Sequence, residues 1–483
     1  MHSHLQELKS WKNKQFVKKL LQAFPQAEVF LVGGCVRDAF LNRPTKDYDL
    51  VVRNVSKISL EKFLKNHGQV SLVGKRFGVF KFIPKNWTTE EIDIALPRTE
   101  HSLNFSGVYK DFQIKSDARL EIQDDLSRRD FTINALAFNV TTDELVDPFR
   151  GLEDLQNKKI KTVGAADQRF QEDYSRMLRA IRFACQLNFK IEANTWRTLK
   201  TKIKNLNRKI NGQQIVPYEV IASELSKSLQ ANPVQAVKLL DQSGVMKTLM
   251  PELLKMKGCP QPRKWHREGD VWKHTLLALG KLGTKSFQKE FPGKKIPAEV
   301  IWGLLFHDLG KPFTIRKTDR LRFNGHDNIS AEKFEELAKK LKLSAAGVDI
   351  DKTKTIIAKH MLPATADIPK MKDTTIEKYF YNKNFPSEEL LMLIYADISA
   401  SLQNNGQPDF SDYKKMTARI KKIGGQNKKS LPKPLVTGHD IMKALNIKAG
   451  PRVGRLIELA REAQLKGKVK TKKQSINYLQ KYK

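Results

Sequence analysis

Among its 483 residues the chain has only three cysteines, Cys35, Cys185 and Cys259. None forms a CxxC pair, which argues against a disulfide scaffold and against a zinc knuckle. No apolar run approaches the ~20 residues that a membrane-spanning helix needs. The opening stretch MHSHLQELKSWKNK is polar and lacks the apolar centre of a secretory signal, so a reducing cytoplasm is the expected compartment. No internal repeat is visible. Acidic residues are scarce too: 52 Asp and Glu stand against 87 Lys and Arg, a formal charge of +35. That excess does not suit an enzyme of small metabolites. It points to a polyanionic partner, with RNA the foremost candidate.

The densest chemistry lies in LVGGCVRDAFLNRPTKDYD, Leu31 to Asp49. The pattern predicts strand or loop, helix, turn and strand. Gly33 and Gly34 would offer backbone N–H groups at a helix start, a place that suits phosphate. Arg37 would add a fixed positive charge. Asp47 and Asp49 frame Tyr48 and run into the strand Leu50-Val51-Val52. Carboxylates two apart on a strand share a face and repel unless a cation lies between them. That arrangement holds divalent metals against a triphosphate. The stretch resembles the head-domain signature of class II nucleotidyltransferases, the superfamily of tRNA CCA-adding enzymes and bacterial poly(A) polymerases. Asp93, on a strand predicted over 91–95, is the candidate third carboxylate. Residues 98–123 are polar, and the resemblance makes them a flexible loop near the active site.

Two further clusters extend the resemblance. LSRRDFTINALA, Leu126 to Ala137, has apolar positions that fit one helical face, with Asp130 near the start and Asn134 a turn later. It is similar to the family's RRDxTxNA element, which implies that Arg129 touches the triphosphate while Asp130 and Asn134 hold the sugar and the head's fingers. QEDYSRMLRAIRFACQL (171–187) is predicted as one helix with Asp173, Arg176 and Arg179 on a shared face. It is similar to the family's EDxxR element. The resemblance implies that Asp173 and Arg176 select the incoming base and that Arg179 helps bind the nucleotide.

From about residue 152 strand-like alternation gives way to helical spacing. After a Pro- and Gly-punctuated boundary at 251–265, a second set of chemistry-bearing residues begins: His274, then His307-Asp308 in HDLGK, then Asp397. An adjacent His-Asp with an upstream His and a downstream Asp can close around one divalent metal. This pattern looks like an HD phosphohydrolase domain. His326 and His360 are available either to a second metal or to a substrate phosphate. Beyond Ser401 the chain is lysine-rich, and GHD…GP…EAQLKG resembles the family's tRNA-gripping tail.

The resemblance covers nearly the whole chain and implies an α+β protein: a small mixed-sheet nucleotidyltransferase head followed by all-helical domains. The expected division is an N-terminal helix 1–28, head 29–151, helical neck 152–255, HD domain 262–400, and linker with tail 401–483. The implied function is addition or repair of the tRNA 3′-terminal CCA from CTP and ATP without a nucleic-acid template. Asp47 and Asp49 would hold Mg²⁺, and the HD site a divalent transition metal. The implied partners are tRNA, ATP and CTP; no membrane and no protein partner can be inferred. The nearest alternative is a poly(A) polymerase, or a relative adding A alone or CC alone. Leu72 to Phe77 matches the start of a polyadenylating signature, but Gly78 to Phe82 lacks the histidine expected there. Alternatives of other classes are an HD phosphohydrolase or a non-catalytic RNA-binding protein. Intact Asp47, Asp49, Arg129, Asp173 and Arg176 weigh against the latter.

Overall fold

The computed structural model describes residues 3–45, 47–73, 79–85, 87, 91–102, 112–365, 371–424 and 432–482. The polyadenylating-type signature falls partly on 74–78, outside the described residues. The chain forms two compact units, Met1–Leu249 and Met250–Lys483.

In the first unit nine strands position the chemistry: β1 (Glu28–Val32), β2 (Tyr48–Arg53), β3 (Gly68–Val73), β4 (Val79–Pro84), β5 (Ile92–Ala95), β6 (Arg98–Ser102), β7 (Phe112–Ser116), β8 (Ala137–Asn139) and β9 (Leu145–Val146). Seven form one mixed sheet in the order β3-β4-β5-β2-β1-β8-β9, while β6 and β7 make a separate hairpin. The hairpin occupies part of the stretch expected to be a loop. β2 and β5 run parallel, with Asp49 opposite Asp93. One face of β1 and β2 (Phe30, Val32, Val51) packs against Ile122, Leu126 and Val163. Helices Ala166–Glu172, Ser175–Leu187, Ala193–Lys202, Tyr218–Ala231 and Pro233–Gln242 complete the unit.

Three expected helices differ from what forms. Residues 1–28 make two helices, Ser3–Ser10 and Gln15–Ala23, broken by a 3₁₀ turn at Trp11–Asn13. Trp11, Phe16, Val17 and Leu20 are buried, whereas Leu21 and Phe24 are only half-buried. The stretch 126–137 is not a helix: one ends at Ser127 and a 3₁₀ turn spans Thr132–Asn134. Its backbone groups pair with a distant segment instead, Thr132 N–H donating to Lys161 O (2.9 Å) and Val163 N–H to Asp130 O (3.2 Å). The stretch 171–187 splits at Asp173, whose backbone is extended (φ −153°, ψ 106°). Its carboxylate accepts from Ser175 N–H at 2.8 Å, an aspartate competing with the helix for a backbone donor.

The second unit is almost entirely helical among its described residues. Val271–Lys281, Ala298–Phe306, His326–Lys340, Ile350–Lys359 and Ser387–Ala400 are the helices that carry or adjoin the histidines and aspartates. Gly438–Leu445, Pro451–Leu465 and Lys472–Gln480 enclose a small core of Val436, Ile441, Leu445, Leu456, Ala460 and Leu479. No helix among the described residues is long and apolar enough to cross a membrane.

The N-terminal segment braces β2 on the side away from Asp49. Tyr48 points away from the Asp49 face, its hydroxyl bonded to Glu7 and its ring centroid 4.7 Å from that of Trp11. Trp11 also meets Phe16 (6.2 Å) and Trp87 (6.0 Å) edge-on. Trp11→Ala should therefore destabilise the head by about 3–5 kcal/mol, measured by chemical denaturation with a probe in residues 1–249.

Candidate functional sites

The first site is a cavity of about 830 Å³ in the first unit. It is lined by Asp47, Asp49, Asp93, Gly34, Arg37, Arg129, Asp130, Asn134, Asp173, Arg176 and Arg179, all named from the sequence. Asp49 and Asp93 are register partners on adjacent strands. Burial raises the Asp49 pKa, Arg129 counteracts, and Asp93 and Asp47 push it up further. A carboxylate raised by its own kind is a site that favours an added cation. Asp93 is also 3.4 Å from Lys81 Nζ, a cation that a metal would have to outcompete. The three carboxylates line one cavity, and a divalent ion would have to draw their oxygens closer together than they stand.

Gly33 does not line the cavity, and its role differs from the expected one. Its N–H is taken by Leu136 O at 2.9 Å, so it offers no phosphate donor. Its φ is +76°, and a Cβ there would stand 2.5 Å from Arg129 Nη1. Glycine is needed to seat that guanidinium. Arg37 likewise is no free charge: Nε and Nη2 bind Asp38, each at 2.9 Å, and Nη1 donates to Asn134 Oδ1 at 2.7 Å.

Asn134 passes the chain of contacts on, donating to Asp130 Oδ1 at 3.2 Å. Asp130 also accepts from Phe131 N–H (2.9 Å) and from Arg179 Nη2 (2.6 Å). Burial alone would raise its pKa, but Arg179 and Asn134 bring it down to about 2. Asp130 stays an anion and works by holding other groups. Arg176 is buried, with Nη1 held by Glu172 (2.6 Å) and by Arg169 O (3.2 Å).

Sequence reasoning missed several supports. Asp125, fully buried, grips Arg128 (2.8 Å) and Arg129 (3.3 Å). Glu172 fixes Arg176. These carboxylates precede their arginines by three or four residues, a signal open to reading. Phe183 lies beneath the guanidiniums of Arg37, Arg179 and Arg182, at 5.3, 5.6 and 4.1 Å. Arg182 and Glu224, paired at 2.6 Å, also line the cavity, and only the fold could have placed Glu224 there.

The second site lies in the second unit. His274 Nε2 is 2.9 Å from Asp397 Oδ1 and 3.3 Å from His307 Nε2; His307 Nε2 is 3.3 Å from Asp308 Oδ2. All four residues named from the sequence converge. Asp308 Oδ1 faces the other way, 3.3 Å from His326 Nε2 and 3.8 Å from His360 Nε2, which are 3.3 Å from each other. Every Nδ1 has an acceptor: Glu268 for His274 (2.9 Å), and the carbonyls of Leu304 (2.8 Å), Phe323 (2.8 Å) and Ile357 (2.7 Å) for His307, His326 and His360. With Nδ1 donating, neutral imidazoles point Nε2 lone pairs at each other and at two carboxylates. That donor set suits cations, with Asp308 able to bridge two of them. Burial lowers the His307 pKa, yet Asp308 and Asp397 override it and raise the group. His360 is brought down to about 4 by burial and by His307 and His326. Glu268, which also accepts from His266 at 2.7 Å, was not foreseen from the sequence.

Divalent metal uptake by the second unit should be abolished or weakened at least about tenfold by His307→Ala or Asp397→Ala. Glu268→Gln should weaken it less. Equilibrium dialysis with Mn²⁺ or Ni²⁺ and metal analysis would read this, and retention of full stoichiometry by His307→Ala would contradict the site.

The Poly A polymerase head domain profile matches residues 29–161, and that of a putative tRNA nucleotidyltransferase domain 2 matches 328–479. The A-adding tRNA nucleotidyltransferase of Deinococcus radiodurans is 28% identical over 368 residues, 75% of this chain and 79% of the relative. The Bacillus stearothermophilus CCA-adding enzyme in complex with CTP superposes with a TM-score of 0.65 at 20% identity, covering 100% of this chain and 98% of that one. The Thermotoga maritima CCA-adding enzyme complexed with tRNA gives 0.59 at 19% identity, with 99% and 98% coverage. The structural likenesses carry the fold, and the two profile matches and the relative make the chain similar to tRNA nucleotidyltransferases and poly(A) polymerases.

Proposed function

We propose that the protein is a tRNA nucleotidyltransferase that builds or repairs the 3′-terminal CCA from CTP and ATP in the cytoplasm. The observation that carries this is the placement of Asp49 opposite Asp93 in a cavity whose other walls bring in Arg129, Asp173, Arg176 and Arg179. Asp47 and Asp49, with Asp93, would hold Mg²⁺, which when bound neutralises the triphosphate and lowers the pKa of the primer 3′-hydroxyl. Arg129, kept in place by Gly33 and Asp125, meets the triphosphate charge. Asp130 and Asn134 hold the sugar and tie the head to Arg179. Asp173 presents an acceptor and Arg176 a donor to the base edge, so the protein itself chooses the base. Lysine and arginine of the helical parts, including the tail, hold tRNA through its phosphates and A-form shape.

A second reading, A addition alone, is favoured by the Deinococcus radiodurans relative, an A-adding enzyme. Incubation with tRNA ending before CCA, with CTP and ATP separately and together, tests both. CCA addition gives three additions that need CTP first and then stop. A-adding activity needs a primer already ending in CC, and processive A tails would show a poly(A) polymerase. Asp47→Ala or Asp49→Ala should lower addition by about a thousandfold or more, the several kcal/mol a metal site contributes, with tRNA binding retained in gel shift. Asp173→Ala should lose about 1–3 kcal/mol of base discrimination, read as a narrowing of kcat/KM ratios among CTP, ATP, UTP and GTP.

The histidine–aspartate cluster supports a second activity in the same chain, metal-dependent hydrolysis of phosphate esters. His307→Ala should remove it and leave nucleotide addition intact. A wild type that binds divalent metal there but hydrolyses no phosphate ester would make the cluster structural.

A further inference from the structure

Beside the histidine–aspartate cluster lies a cleft of about 610 Å³ whose lining includes Gln261, Arg263, His266, Arg267, Asp270 and Asn404. It touches the cluster through two side chains. His266 Nδ1 bonds Glu268 (2.7 Å), which also bonds the ligand His274 (2.9 Å). Gln261 Oε1 accepts from Lys311 Nζ (2.7 Å), which also bonds Asp308 (2.7 Å).

Gln261 is 6% exposed, and its Nε2 is buried without a hydrogen-bond partner among the described residues. A buried amide donor left unmade costs free energy unless a ligand completes it. The acids near it are already engaged. Asp270 accepts from the backbone N–H groups of Gly258 (2.9 Å) and Lys273 (2.8 Å), and Glu268 from two histidines and Leu402 N–H (2.9 Å). Arg263 is exposed at the rim, and Arg267 Nη1 bonds Asn404 O at 3.0 Å. Two guanidiniums and an amide donor around a concave site next to a cation-binding cluster match a terminal phosphate dianion.

We infer that this cleft is the phosphate-binding subsite of the cluster, with Gln261 Nε2, Arg263 and Arg267 taking the oxygens of a terminal phosphate. The inference rests on the phosphohydrolase reading of the cluster. The phosphate could arrive on a free mononucleotide or on an RNA 3′ end; both present the same group.

Isothermal titration of the full chain with inorganic phosphate, a nucleoside 3′-monophosphate and an oligoribonucleotide ending in a 3′-phosphate tests binding apart from turnover. Gln261→Glu keeps the acceptor for Lys311 and replaces the unpartnered donor by an acceptor. Arg263→Ala alters only an exposed side chain. Each should weaken phosphate binding about tenfold or more and raise KM of any hydrolysis by a similar factor, with metal content and nucleotide addition unchanged. The tighter of the nucleotide and RNA ligands identifies the source. Absence of phosphate binding in the wild type, or unchanged affinity in both variants, overturns the subsite. Phosphate binding lost in both variants, from a wild type that hydrolyses nothing, keeps the subsite and removes the hydrolase reading.

Discussion

The cavity of the first unit depends on one buried anion. Asp130 accepts from a backbone N–H, from the Asn134 amide and from Arg179, and these bonds fix three otherwise independent pieces. Arg179 belongs to the helix Ser175–Leu187, whereas Asn134 lies in the 3₁₀ turn before β8 and reaches Arg37 on the helix Gly34–Phe40. A buried carboxylate without partners would be protonated or expelled. Surrounded by these donors it stays charged and holds the helix Ser175–Leu187 against the sheet that carries Asp49. The same logic explains why so many arginines of the cavity are engaged by carboxylates. Arg128, Arg129, Arg176 and Arg182 each have an acid partner close by. Their function is geometric as much as electrostatic: a planar fork held at one end presents its other donors at a fixed angle.

The second unit solves a related problem with the opposite sign of strain. There the backbone and Glu268 take the Nδ1 hydrogens and leave Nε2 lone pairs converging. Nothing but a cation, proton or metal, relieves that convergence. The head offers only carboxylate oxygens, a donor set for a hard ion such as Mg²⁺. The cluster mixes imidazole with carboxylate, a set that favours transition metals. The two donor sets therefore differ in the ions that suit them.

How much of this the sequence disclosed follows from what each residue acts upon. Residues proposed to meet a ligand directly were legible. Asp47, Asp49, Arg129, Asp173 and Arg176 all line the cavity, and His274, His307, Asp308 and Asp397 all meet. Several residues that act only on other residues went unread. Asp125, Glu172, Glu268, Gln261 and Glu224 touch functional side chains and stand in no motif of their own. The misread helices have a related cause. The apolar spacing of 126–137 is helical, but Thr132 and Ile133 are β-branched and the segment's hydrogen bonds go to residues 161–163, some thirty positions away. Periodicity counts only near neighbours, so it cannot detect that competitor. At Asp173 a single side-chain acceptor breaks the helix, and the break turns that carboxylate out of the helical register and leaves it on the cavity wall. Gly33 shows the same limit at one atom: the pattern indicated a phosphate turn, while the fold uses the missing Cβ to admit Arg129.

The charge excess takes on a sharper meaning against this background. Of +35, little resides in the cavity, where arginines are matched by nearby acids. Most of it must therefore lie outside, on lysines such as those of helix Ser411–Gly424 and of the last helix, Lys472–Gln480, where Lys415 pairs with Asp412 and Lys472 with Asp440. Lysine ammoniums on flexible stems attract phosphate without fixing its orientation. Arginines locked by carboxylates fix orientation and add little net attraction. The protein thus separates the two tasks by residue type: diffuse lysine charge to gather a polyanion, and neutralised arginine lattices to decide what happens at its end.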